Sequence, residues 1–128
     1  MVNADAILAS TIGRPVFNAC GKYSLNQSAS LVSQAKLVVT NDTGLMHIAA
    51  AFKKPVYSIW GNTIPAFGMS PYYGNNVAAG ISRKFETLNL DCRPCSKLGY
   101  PSCPKGHFKC MNLINELEIA ELVNTIER

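Results

Sequence analysis

Asp42, Thr43, Gly44 and His47 place a carboxylate, a hydroxyl, a glycine and an imidazole close together in the segment Asn41-Asp42-Thr43-Gly44-Leu45-Met46-His47. At the point where a strand hands over to a helix, that set equips an anion site. Asp42 or Thr43 can cap the helix, leaving the first-turn N–H groups of Gly44, Leu45 and Met46 pointing outward. Free amides and the positive end of the helix dipole attract phosphate, and Gly44 lets it approach the backbone closely. Thr43 adds a hydroxyl donor. His47 lies about one turn in, and helical side chains lean back toward the N-terminus, so its imidazole can reach the same anion. The same residues also fit an ordinary capped helix with His47 as a surface or core histidine. Spacing alone leaves both readings open.

A second concentration of chemistry lies between Asp91 and Met111. Cys92, Cys95, Cys103 and Cys110 follow a C-x2-C-x7-C-x6-C pattern with His107 among them. Tetrahedral thiolate ligation of a structural zinc is one reading. Only the Cys92–Cys95 pair has the knuckle spacing, so reduced structural thiols remain an equal alternative. Disulfides are the third, disfavoured by a cytoplasmic setting. No thioredoxin-like context surrounds Cys92 and Cys95, which argues against a thiol redox enzyme. Cys20, far off in sequence, is expected to be a small buried side chain.

The elements that must position these residues follow from the apolar pattern. Leu37–Thr40 is a β-branched run of the kind buried on both faces of a sheet, Leu45–Phe52 is helical, and Val56–Trp60 is a second buried strand. Strand, tight turn, helix and strand make a βαβ unit, which implies a parallel sheet. Upstream, Ala4–Ser10 reads as the tail of a helix beginning before Met1. Val16–Ala19 reads as a first strand, and Ser24 as the cap of a helix over Leu25–Ala35. Lys22 and Tyr23 then sit at the carboxyl end of a strand, where open α/β sheets bind ligands; an exposed lysine and a half-buried tyrosine fit equally. Downstream, Gly61–Asn76 is an irregular loop leaving the same edge as Asp42. Gly61, Asn62 and Thr63 are candidate amide and hydroxyl donors there, and Phe67, Tyr72 and Tyr73 are candidates to cover the sheet. Val77–Ala79 and Thr87–Leu90 are short strand candidates. A last helix, capped by Asn115, carries Ile119, Leu122, Val123 and Ile126 on one face, expected to pack on the sheet.

With 128 residues, 48% hydrophobic and 16% charged, the chain fits one domain with its own core and excludes a disordered segment. No apolar run approaches the roughly 20 residues of a transmembrane helix. Asp5 precedes any basic residue and no cleavage pattern follows, so no signal peptide is expected and a cytoplasmic protein is. The net charge of +4 divides into +7 over residues 1–110 and −3 over residues 111–128. A basic body suits a phosphorylated ligand or an anionic membrane surface, and equally a solvated surface.

Asn41 to Ala51, then Pro55-Val56 and Trp60-Gly61-Asn62-Thr63, resembles the ADP-heptose–lipopolysaccharide heptosyltransferases, glycosyltransferase family 9. Gly21-Lys22-Tyr23-Ser24-Leu25 resembles that family's Gly-x-x-Ser-Leu helix start. Cys92 to Cys95, Cys103 to His107 and Cys110-Met111 resemble the cysteine-rich tail of many members. The resemblance implies an α/β fold: a Rossmann-like parallel sheet flanked by helices, the C-terminal half of a GT-B glycosyltransferase. Residues 1–128 would be a single nucleotide-sugar-binding domain with a cysteine-rich loop at 91–111.

It further implies that Thr43 and Gly44 donate to phosphate oxygens of a nucleotide-diphosphate sugar, that His47 adds a donor, and that Asp42 faces the sugar hydroxyls. Lys22, Gly61, Asn62 and Thr63 would border the same donor. No cofactor is expected for transfer, and a zinc on Cys92, Cys95, Cys103 and Cys110 would be structural. The catalytic base and the acceptor site would belong to an N-terminal domain absent from this chain, so the chain alone is expected to transfer nothing. The implied acceptor is a membrane glycolipid, with the enzyme cytoplasmic or peripheral at the inner membrane. The rival reading is a zinc-stabilised basic module in which Arg93, Lys97, Lys105 and Lys109 meet nucleic acid or anionic lipid. Only Tyr100 and Phe108 offer stacking surfaces there, which weakens a nucleic-acid partner.

Overall fold

The computed structural model describes residues 4–75 and 82–127. Its centre is a three-stranded parallel sheet in the order β1-β2-β3: β1 Val38–Asn41, β2 Val56–Trp60 and β3 Ser82–Glu86. The helices are α1 Ala4–Ser10, α2 Leu25–Gln34, α3 Gly44–Ala51, α4 Lys109–Asn112 and α5 Glu116–Glu127, with a 3-10 turn at Pro65–Phe67. A parallel sheet flanked by helices is the Rossmann-like α/β arrangement expected.

The β1–α3–β2 crossover forms for the reasons its residues suggest. Val38 pairs with Val56 and Asn41 with Ile59, so both strands end on one edge. The face of α3 that carries Met46, Ala49 and Ala50 is buried, and small alanines let the helix lie close against the strands. Lys53, at φ 55°, ends the helix in the left-handed region, and Lys53 and Lys54 N–H groups return to the carbonyls of Ala50 and Ala49. Met46, Ala49, Val56 and Trp60 make the core, with Val32, Val38 and Tyr73 packed on it. The buried indole N–H of Trp60 donates to Ser58 Oγ at 2.9 Å, and that hydroxyl donates on to the Arg83 carbonyl at 3.2 Å, so neither polar group is left unpaired. Tyr73 Oη donates to the Lys54 carbonyl at 3.0 Å, tying the long loop over the end of α3. Of the other two aromatics expected to cover the sheet, Tyr72 is exposed and Phe67 is at the border of exposure.

Ser24 caps α2 with a full capping box: its hydroxyl accepts from Gln27 N–H while the Gln27 side chain accepts from Ser24 N–H. Asn115 Oδ1 accepts from Glu118 N–H at the start of α5. The predicted α5 face of Ile119, Leu122, Val123 and Ile126 is the less exposed one, but it is only half-buried.

Several expectations are corrected. Val16–Ala19 is not a strand: it has no ladder partner, and Phe17 is 88% exposed. Asn18 instead reaches Asp5 at 2.8 Å, joining the segment to α1. Cys20 is exposed, not buried. Thr87–Leu90 is irregular, and the strand lies just before it at Ser82–Glu86, where only Phe85 is buried. Val77–Ala79 falls outside the described residues.

Candidate functional site

Because the strands are parallel, the residues leaving β1 and β2 emerge on the same edge of the sheet. Asp42 follows β1 directly, and Gly61, Asn62 and Thr63 follow β2. Thr63 Oγ1 donates to Asp42 Oδ2 at 3.1 Å, joining the two exits. Asn41, Asp42, Gly61, Asn62 and Thr63 line one wall of a cavity of about 270 Å³, and Tyr100, Pro101, Ser102, Phe108 and Met111 line the other. The cysteine-rich loop therefore walls the edge that carries Asp42.

Thr43 occupies the N-cap of α3 with an extended backbone, φ −144° and ψ 166°, yet its hydroxyl caps nothing. It contacts Thr40 Oγ1 at 3.1 Å instead. With Asp42 engaged by Thr63, no side chain among the described residues closes the helix N-terminus; the Met46 N–H, expected to point outward, turns back to the Thr43 carbonyl at 3.1 Å, which leaves those of Gly44 and Leu45 available to an anion. Gly44 and His47 are exposed beside it, and the His47 imidazole has no hydrogen-bond partner among the described residues. Lys22 is exposed in the turn before α2. Lys22, Thr43, Gly44 and His47 do not line the cavity; Asp42 and the Gly61–Thr63 turn do.

The turn after β2 is gripped by the cysteine-rich loop. Asn62 donates from Nδ2 to the Tyr100 carbonyl at 2.9 Å, and its own carbonyl accepts from Cys95 N–H at 3.1 Å. The side chain of Asn62 is thus turned to the loop. Gly61 packs on α4, where an added Cβ would sit 2.8 Å from Met111 Sδ. Arg93, which the sequence reading placed only among the basic loop residues, is buried beneath this turn, its side chain 5% exposed and paired with Glu86 at 2.7 Å. A cationic side chain so deeply buried is a signal that only the fold reveals.

All five cysteines are free thiols. Among the described residues no three His, Cys, Asp or Glu side chains are placed to hold a metal ion. His107 Nδ1 accepts from Lys109 N–H at 3.1 Å, so the neutral ring carries its proton on Nε2, which faces Cys92 Sγ at 3.7 Å. Two thiols are pushed in opposite directions. The Phe108 N–H at 3.4 Å, aided by the amides of Lys105, His107 and Gly106, lowers the pKa of Cys103 against partial desolvation. Burial raises that of Cys110, reinforced by the neighbouring Cys95, Cys103 and Cys92.

A family profile described as glycosyltransferase family 9 (heptosyltransferase) matches residues 3–97. Lipooligosaccharide heptosyltransferase 2 of Campylobacter jejuni serotype O:2 is 30% identical over 106 residues, covering 83% of this chain and 30% of the relative. The Haemophilus influenzae protein of the same name is 46% identical over 50 residues, 39% of this chain and 14% of the relative. Lipopolysaccharide heptosyltransferase 1 of Salmonella typhimurium is 39% identical over 70 residues, 55% of this chain and 22% of the relative. The matched stretches thus cover less than a third of the length of each of these three relatives. No solved structure gives a significant match. Its Rossmann-like sheet, the Asp42–His47 turn at the strand ends and the profile match converge: the chain belongs to glycosyltransferase family 9, the heptosyltransferases.

Proposed function

We propose that this chain is the donor-binding part of an inverting glycosyltransferase that moves a heptose-like sugar from a nucleotide diphosphate to a lipopolysaccharide or related glycan. The observation that carries this reading is the uncapped N-terminus of α3 on the carboxyl edge of a parallel sheet, in a chain of this family. The amide of Gly44 and the hydroxyl of Thr43 donate to the diphosphate, His47 adds a donor from the next turn, and Asp42 faces the sugar. As the glycosidic bond breaks, charge grows on the departing nucleoside diphosphate. Fixed amides and the helix dipole stabilise that charge without a divalent cation. The catalytic base and the acceptor site belong to an N-terminal part of the longer protein, which works in the cytoplasm at the inner membrane surface. Among the described residues no helix is long and apolar enough to cross a membrane.

Calorimetric titration of the chain with ADP, UDP and GDP tests the donor reading. Preferential binding of ADP, weakened about 3- to 10-fold in His47→Ala, is the expected result. Failure of every nucleotide to bind, both here and in a form extended toward the N-terminus, would overturn it.

A structural zinc belongs to the same proposal. Cys92, Cys95, Cys103 and Cys110 would have to draw together from their present positions to ligate it. One equivalent of zinc in unchelated protein supports that part, and a trace refutes it without touching the donor reading.

A further inference from the structure

We infer that Arg93 is a positioning residue that sets the direction of the amides in the turn after β2, an inference that rests on the donor reading above. Its guanidinium donates from Nε to the Gly61 carbonyl at 2.6 Å and from Nη2 to the carbonyls of Thr63 at 3.0 Å and Trp60 at 3.4 Å. Nη1 reaches the Thr87 carbonyl at 3.0 Å and Glu86 Oε2 at 2.7 Å. One planar fork therefore joins the exits of β2 and β3, and Glu86 fixes the fork from the far side.

The consequence lies in the peptide planes. In a trans peptide the C=O and the following N–H point in opposite directions. Carbonyls of Trp60 and Gly61 held on Arg93 turn the N–H groups of Gly61 and Asn62 away from it. Neither amide meets an acceptor among the described residues, while both residues line the cavity shared with Asp42. The Thr63 carbonyl, held by the same fork, keeps the Thr63 hydroxyl within reach of Asp42. Arg93 thus presents two unpartnered amides and one oriented carboxylate to an anionic, polyhydroxylated ligand without touching it. A lysine, with donors radiating from a single nitrogen, cannot span the same carbonyls.

The test compares wild type with Arg93→Lys, which keeps the charge, and with Glu86→Gln, which removes the charged far anchor that holds the fork on its carbonyls. Amide resonances of Gly61, Asn62 and Thr63 are followed by NMR, ADP affinity by calorimetry, and folding by urea denaturation. Both variants are expected to shift those three amides, and Arg93→Lys to weaken ADP about tenfold while still unfolding cooperatively. Should Arg93→Lys not fold, Glu86→Gln carries the comparison. Unmoved amide resonances in a folded variant would overturn the positioning role, as would ADP affinity unchanged in both variants. If wild type binds no ADP, both as this chain and in the form extended toward the N-terminus, the donor reading fails, and the amide resonances alone then decide whether Arg93 orients the turn.

Discussion

Gly99→Ala should loosen the wall of the candidate site by an amount that can be built from its parts. Gly99 sits at φ 81°, where an alanine pays about 1–2 kcal/mol for the left-handed backbone. The new Cβ would stand 2.7 Å from Asn62 Oδ1 and 2.9 Å from Nδ2, closer than packed atoms allow. Relief comes when the Asn62 amide swings away, which breaks its 2.9 Å bond to the Tyr100 carbonyl and costs about 1 kcal/mol. Together these give about 2–3 kcal/mol, a large share of the roughly 5–15 kcal/mol that holds a typical domain. Urea denaturation of Gly99→Ala, Asn62→Ala and the double variant measures each part. With the Asn62 side chain already removed, Gly99→Ala should cost only the backbone share, so the two changes couple by about 1 kcal/mol. A Gly99→Ala cost below about 0.5 kcal/mol, or an equal cost in both backgrounds, would refute the account.

Ser24→Ala removes the hydroxyl half of the α2 capping box, leaving the backbone N–H at position 24 to donate to Gln27, and should cost about 1 kcal/mol in chemical denaturation; a change within a few tenths would mean that the hydroxyl does not hold the helix start. Alkylation by iodoacetamide, followed residue by residue across pH, should show Cys103 reacting at lower pH than Cys110, because amides lower the first thiol and burial raises the second. The sign for stability follows: the Cys103 contribution is present above the free-thiol pKa and is lost as pH falls through its lowered folded value. That of Cys110 is present below the free-thiol pKa and is lost as pH rises through its raised folded value. The reverse order of alkylation would contradict both assignments.

The β1–α3–β2 unit was legible because its signals agree: β-branched runs, a turn rich in cap residues and an alanine-rich helix face. β3 was missed because Ser-Arg-Lys-Phe-Glu buries one phenylalanine and otherwise reads as polar surface, while the more apolar Thr87–Leu90 attracted the assignment. Val16 and Phe17 carry strand-like residues, but apolar composition cannot supply the neighbouring strand a ladder requires. At the candidate site, Asp42, Gly61, Asn62 and Thr63 were singled out and do meet at one cavity. The hydrogen bond between Asp42 and Thr63, and the loop-facing turn of Asn62, are set by tertiary geometry that spacing does not encode. Arg93 was visible only as a positive charge. What distinguishes it is where its donors point, and they point to carbonyls some thirty residues earlier in the chain.

That separation sets an order of events during synthesis. The βαβ unit can begin to pack once Trp60 has emerged, yet the turn after it stays untethered until Arg93 follows, and Asn62 waits for Tyr100, 38 residues later. At the usual 5–20 residues per second of translation, the delay is roughly 2–8 s. A nascent chain halted before Arg93 would therefore expose a finished crossover with an unfinished edge.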